Sequence, residues 1–270
     1  MKTRIIVGTI LAALLLAVLY FGGLVYVAFI SLVAFGATYE TAHITTTHRF
    51  RPHSLPAYAF ALGFPFVYYF GGVTLLFVFY LTCIVGAMIG LVLRRSEEPE
   101  NAIISLLFFV YPLALVICTL LVFMEFDRSI GLTASIFLYA APILTDTFAY
   151  FGGYLFGKHK LCPSISPKKT VEGAVAGLLG GLLLAIALIP LQKHWGGDVP
   201  AIALIVIGLI CSVCAQFGDL FASLLKRWAG VKDYGSIFPG HGGIMDRVDS
   251  ILICSPVVLC LFTILQLFGI

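Results

Sequence analysis

Asp219, Ser223, Lys226 and Arg227 follow one another at i, i+4, i+7 and i+8, the spacing of one face of an α-helix. An acid, a hydroxyl and two cations would then project together where an apolar run ends. A helix end that snorkels to lipid headgroups accounts for Lys226 and Arg227. It does not account for Asp219, because a carboxylate in an apolar run costs about 2.5–3.5 kcal/mol on insertion scales. Further on, Asp246 and Asp249 stand at i and i+3, and on a helix both face the same way. Two carboxylates in a partly apolar place repel unless a cation sits between them. Oxygen donors with no Cys/His cluster suit Mg²⁺. The plainer alternative is a pair of acids that complements a helix N-terminus. Arg247, between them, could pair with a carboxylate or grip a phosphate bidentately.

Two loops adjoin these residues. The first reads GVKDYGSIFPGHGG. Gly242 and Gly243 would let backbone approach a ligand and present N–H groups as an anion nest, with Lys232 and His241 as further donors. A generic glycine-rich turn is the alternative. The second reads GKHKLCPSISPKKTVEG. Ser166-Pro167 predicts a helix N-cap followed by proline in the first turn. Lys168 and Lys169 would then reinforce an anion site at a helix N-terminus, with Glu172 balancing them. Asp146 lies in the apolar stretch APILTDTFAYFGG. An ionisable residue inside the membrane is a functional candidate by default; a carboxylate hydrogen-bonded within a helix bundle is the other reading.

The elements that position these residues must be membrane helices. The 270-residue chain is 61% hydrophobic and 11% charged, against roughly 25% charged in a soluble domain. No soluble fold of this size hides so much apolar surface. Polar breaks divide it into about nine spans, at 4–21, 23–39, 54–70, 72–93, 102–124, 130–156, 171–191, 199–222 and 250–269. Two of the breaks are only the glycine pairs Gly22-Gly23 and Gly71-Gly72, which suit tight turns between antiparallel helices. Backbone in lipid must satisfy its own hydrogen bonds, so the spans are expected to be helical. The first span lacks a cleavage site ahead of a polar region and reads as a retained helix, not a signal peptide.

With nine spans, Lys2, Arg4, Arg49, Arg51, Arg94, Arg95, Lys158, Lys160, Lys168, Lys169, Lys226, Arg227, Lys232 and Arg247 share one side. Only Arg128 and Lys193 fall on the other, which accounts for all 16 basic residues. The positive-inside rule then puts the N-terminus and the loops 157–170 and 223–249 in the cytoplasm, and the C-terminus outside. The expected architecture is an all-α polytopic membrane protein. Residues 1–125 form about five helices with little motif content, and 126–270 form the catalytic region. Six of the seven cysteines lie in apolar runs and read as packing residues, the lone Cys211-x-x-Cys214 included. Gly173, Gly177 and Gly181 line one helix face, a packing seam within one chain or between two.

The run from Ser223 to Asp249 resembles the signature of the phosphatidate cytidylyltransferase (CDP-diacylglycerol synthase) family. Its fixed positions are Ser223, Leu225-Lys226-Arg227, Lys232-Asp233, Gly235, Phe238-Pro239, His241-Gly242-Gly243-Ile244 and Asp246-Arg247-Val248-Asp249, over 27 residues. SPKKTVEG and GDL upstream are similar to family segments too, although Val171 stands where an aromatic is expected. The motifs cover residues 146–250; the first five spans contribute hydropathy alone.

The resemblance implies transfer of CMP from CTP to phosphatidic acid, giving CDP-diacylglycerol and pyrophosphate. It implies Mg²⁺ and admits a second cation such as K⁺. It places the chain as a multi-pass protein of a bacterial inner (cytoplasmic) membrane, with the active site facing the cytoplasm. The lipid phosphate is itself the nucleophile and is largely dianionic, so catalysis is expected to be positioning and charge neutralisation. In that scheme Asp219, Asp246 and Asp249 hold the metal. Ser223, Lys226, Arg227, Lys232, His241 and Arg247 contact phosphates, Lys168 and Lys169 take the triphosphate or pyrophosphate, and Asp146 joins the pocket. Partners are CTP, phosphatidic acid and membrane lipids, with no nucleic acid; the glycine seam is compatible with a homodimer. The rival readings are another CTP-using lipid enzyme such as a polyprenol kinase, an ion-coupled transporter in which Asp146 and Asp219 form a path, and a non-catalytic scaffold.

Overall fold

The computed structural model describes residues 2–48, 50–93 and 98–269. Arg49, Arg94 and Arg95 of the charge count lie outside the described residues, as do the side chains of Lys2, Arg4 and His48. The elements are α1 (Lys2–Phe21), α2 (Gly23–His48), α3 (Leu55–Leu93), α4 (Pro99–Phe108), α5 (Leu115–Met124), α6 (Arg128–Phe156), β1 (Lys160–Cys162), β2 (Ser166–Thr170), α7 (Val171–Leu191), α8 (Ala201–Trp228) and α9 (Met245–Leu267). A π-helical stretch at Phe109–Ala114 joins α4 to α5. Among the described residues seven helices are long and apolar enough to cross a membrane, and a shorter apolar one covers Ile6–Phe21. The chain is a helical, polytopic membrane protein.

One of the seven is 39 residues long, α3. At 1.5 Å per residue it would reach about 58 Å, against roughly 30 Å of hydrocarbon. Gly72 interrupts it with φ 68° and ψ −172°, a conformation glycine adopts without steric cost. The break falls at the expected glycine pair. Gly22 and Gly23 likewise take positive φ between α1 and α2.

Two local expectations are corrected. The second helix does not stop at 39 but runs to His48, taking Glu40 into its interior. Ser166-Pro167 does not open a helix: both residues sit in β2, which pairs antiparallel with β1. The residue before a proline is pushed toward extended geometry, and an edge strand tolerates a missing N–H. The N-cap is instead Thr170, whose Oγ1 accepts the Gly173 N–H at 3.1 Å.

The chain forms two compact units, Met1–Leu120 with Trp228–Val248, and Leu121–Arg227 with Asp249–Ile270. The core of the first is aromatic. Phe60 stacks on Phe64 and on Phe79, each at 5.3 Å between ring centroids. Pro112 interrupts the hydrogen-bond ladder of the π-helical stretch, and the Tyr80 hydroxyl donates to the Phe109 carbonyl at 3.0 Å. In the second unit the glycine seam is used internally. A Cβ at Gly177 would lie 3.2 Å from the Thr145 carbonyl, one at Gly180 2.7 Å from that of Leu144, and one at Gly181 would collide with Gly208. The seam therefore seats α7 against α6 and α8. Thr145 and Ser212 hydroxyls bond across the same contact at 2.8 Å.

The turn between α7 and α8 is closed by Gln192, which is 2% exposed. Its Nε2 donates to the Val199 carbonyl at 2.7 Å and its Oε1 accepts the Val199 N–H at 3.1 Å. Nearby, the hydrogen bond and charge of Lys193 hold the Asp198 carboxyl below its ordinary range. Gln192→Ala leaves a buried donor and acceptor unmatched. It is expected to cost about 1–3 kcal/mol, read as a lower Tm in detergent with no change in secondary structure.

Candidate active site

In the second unit, α8 continues past the apolar run to Trp228, so Asp219, Ser223, Lys226 and Arg227 do share one helix. Gly218 lets α8 meet α9 backbone to backbone: a Cβ there would lie 2.8 Å from the Asp249 carbonyl oxygen and 2.8 Å from Ser250 Cα. This contact brings the α8 backbone next to Asp219 against Asp249 and Ser250. The Asp249 carboxylate is 7% exposed, and Asp219, Lys226 and Asp146 all lie within its electrostatic range. Its Oδ1 accepts the Ser250 N–H at 2.7 Å. The Lys169 ammonium pairs with Asp219 Oδ2 at 2.5 Å. Ser223 and Lys226 are each 8% exposed, and Arg227 Nε donates to the Ile165 carbonyl at 3.3 Å, tying the end of α8 to the β1–β2 hairpin.

A cavity of about 370 Å³ opens between α6, α7 and the hairpin, with Asp146, Lys168, Lys169, Thr170 and Gln216 on its wall beside Tyr150 and Tyr154. Asp146, expected inside an apolar span, is exposed there. Lys168 and Lys169 reach the cavity from β2, not from a helix N-terminus. Glu172 does not balance them. It accepts the Lys158 and His159 N–H groups and meets His159 Nδ1 at 2.6 Å, closing the base of the hairpin.

In the first unit, the loop between α8 and α9 is held by carboxylates. Asp246 Oδ2 accepts the Tyr234 N–H at 2.8 Å and the Gly243 N–H at 3.0 Å. Glu40 accepts those of Ile244 and Met245 at 3.0 and 2.8 Å. The glycine loop does form a nest of N–H groups, but the anions seated in it at Gly243, Ile244 and Met245 belong to the chain itself. His241 closes the turn, its N–H donating to the Phe238 carbonyl at 2.8 Å. Its Nδ1 is buried with no hydrogen-bond partner among the described residues. Lys232 and Arg247 are exposed. Asp246 stands one turn ahead of Asp249 on α9 and, within its own unit, serves the loop.

Among the described residues no three His, Cys, Asp or Glu side chains come close enough to hold one metal ion. Mg²⁺ is commonly bound by one or two carboxylates, waters and substrate phosphates, not by an all-protein cage, and Asp219 and Asp249 are carboxylates of that donor type. The seven cysteines are free, and the Cys254 thiol donates to the Cys211 carbonyl at 3.3 Å, a packing role.

The composition of the sequence hid Glu40. It follows a tyrosine at the end of an apolar run and reads there as the polar edge of a span. Its one signal is a lone acid among small and hydroxyl residues, ATYETAHITT, where a helix that continues must bury it.

A family model described as "Cytidylyltransferase family" matches residues 2–265, and the chain belongs to that family. A stretch of 131 residues, 48% of the chain, is 45% identical to a "Phosphatidate cytidylyltransferase" of Staphylococcus saprophyticus and covers 49% of that protein. Over 143 residues, 53% of the chain, it is 41% identical to "Phosphatidate cytidylyltransferase 4, chloroplastic" of Arabidopsis thaliana, covering 36% of it. The chain thus spans about half the length, or less, of these curated relatives.

Proposed function

We propose that the chain transfers CMP from CTP to phosphatidic acid, releasing pyrophosphate. The observation that carries this reading is a charged cluster in the second unit: Lys169, on the wall of a cavity that Lys168, Asp146 and aromatic side chains also line, pairs with Asp219, and Asp249 lies within electrostatic range of Asp219, Lys226 and Asp146. Carboxylates able to share a divalent cation stand next to ammonium groups able to hold phosphate. The names of the relatives point the same way.

A lipid phosphate oxygen attacks the α-phosphorus of CTP, and the bond from that phosphorus to the bridging oxygen of the β-phosphate breaks. No proton needs to be removed from a dianionic phosphate. Lys168, Lys169 and Lys226 would neutralise the phosphates and fix their line of approach. Ser223 and Arg227 add a hydroxyl and a guanidinium to the same helix face. In the first unit, Lys232, His241 and Arg247 are the phosphate donors that the family resemblance implies on the glycine loop, whose Gly242 bends the chain at φ 80°. Mg²⁺ at Asp219 and Asp249 would neutralise the triphosphate and polarise the breaking bond. A monovalent ion such as K⁺ is admitted as a second cation.

The finer topology belongs to the same proposal. Dividing α3 at Gly72 and adding α1 gives nine spans, which puts the N-terminus and the loops 157–170 and 223–249 in the cytoplasm of a bacterial inner membrane. A homodimer would use a face other than the glycine seam, which α6 and α8 occupy.

The test is radiolabelled CTP with phosphatidic acid and Mg²⁺ in detergent. Labelled CDP-lipid is the expected product. Phosphorylated polyprenol without CMP transfer would assign a kinase, and no turnover with ion-driven flux in vesicles would assign a transporter.

A further inference from the structure

Glu40 lies on α2 and is 2% exposed. Its two oxygens take one N–H each, Oε1 that of Ile244 and Oε2 that of Met245. These belong to the group of N–H donors that the start of any helix leaves without an intrahelical acceptor. A residue at the helix's own cap normally satisfies them. Here the acceptor comes from a helix more than 200 positions earlier in the chain. The backbone makes room for it: a Cβ on Gly235 or Gly243 would run into the Glu40 carboxylate. Asp246, next after Met245, grips the same loop from within through Tyr234 and Gly243. Two carboxylates thus clamp one short segment, and that segment carries His241 and Arg247.

We infer that Glu40 is a positioning residue: it fixes the glycine loop and the first turn of α9, and through them His241, Asp246 and Arg247, without itself touching substrate. The inference rests on the proposed reaction for its activity readout only. Shape alone does not do this work, because both N–H groups need an acceptor. Glutamine keeps the shape but offers one oxygen and one NH₂, which sets a donor against a donor.

The experiment compares wild type, Glu40→Gln, Glu40→Ala, Gly243→Ala and the double variant Glu40→Ala/Gly243→Ala, with single-turnover CMP transfer and amide hydrogen exchange of residues 235–248. In Glu40→Gln the rate constant is expected to fall about 100-fold, the scale of an ångström-sized misplacement, with the amplitude retained. Exchange in 235–248 rises while the rest of the chain is unchanged. Gly243→Ala displaces the carboxylate and gives a similar loss. The double variant is no worse than the Glu40→Ala single, since the new methyl enters space that the carboxylate has left, so the two changes do not multiply. An unchanged rate constant overturns the inference, as does lost amplitude at an unchanged rate constant, which is the mark of a residue that only keeps the protein folded. Unchanged exchange or multiplicative losses overturn it too. If Glu40→Gln does not insert, Glu40→Asp, which withdraws the carboxylate by one methylene, is read in the same assays. Absence of CMP transfer in wild type would remove the proposed reaction, and the exchange arm would still decide whether Glu40 holds the loop.

Discussion

Asp249→Asn is expected to lower CMP transfer by about 10²–10³-fold while leaving the protein at least as stable as wild type. The substitution keeps shape and removes charge. Asp249 is 7% exposed and has Asp219 and Asp146 as like-charged neighbours, with Lys226 the opposing charge. Three neighbouring carboxylates repel one another, so deleting one relieves the folded state. The same deletion removes half of the carboxylate pair proposed to hold a divalent cation and leaves the ammonium groups less well opposed. Losing one preorganised electrostatic partner of a phosphoryl-transfer step commonly costs that much in rate. Single-turnover transfer and Tm, measured on one preparation, check both halves. Transfer within about threefold of wild type would remove Asp249 from the site. A fall in Tm that tracks the fall in rate would make it a structural residue.

Gly218→Ala carries the second large effect, through geometry instead of charge. The added methyl meets the Asp249 carbonyl and Ser250 Cα at 2.8 Å, and Ile253 Cβ at 3.3 Å. The first two are backbone atoms and cannot swing aside, so α8 and α9 must part. Overpacking of this kind typically costs about 1–3 kcal/mol. A displacement near one ångström between Asp219 and Asp249 would lower the rate about 100-fold. Gly90→Ala is the control: a Cβ there meets nothing within 4 Å, and neither Tm nor rate should move. Equal behaviour of the two variants would show that the α8–α9 contact does not set the site.

These residues show what a sequence discloses and what it withholds. Helical runs were legible because lipid imposes one demand, long apolar segments that satisfy their own backbone. The helix face from Asp219 to Arg227 was legible for the same reason, since spacing along one helix is a local quantity. The break at Gly72 followed from glycine alone. Ser166-Pro167 misled because its two signals conflict: serine favours an N-cap, while proline pushes the residue before it toward extended backbone. Glu40 was out of reach. Nothing within its own helix shows that its partners are Ile244 and Met245, and only folding brings α2 to the start of α9. The destination of the glycine seam was similarly undetermined until Gly208 and Leu144 appeared opposite it.

The distance along the chain between Glu40 and the N–H groups it accepts, 204 and 205 positions, has a consequence for biogenesis. Ribosomes add about 5–20 residues per second, so the second helix enters the membrane some 10–40 s before its partners exist. For that interval the carboxylate is without these two N–H donors. A chain cut short before residue 244 lacks both N–H partners of that carboxylate. The capping of the α9 N-terminus by Glu40 is therefore a contact that forms only after residues 244 and 245 have been made.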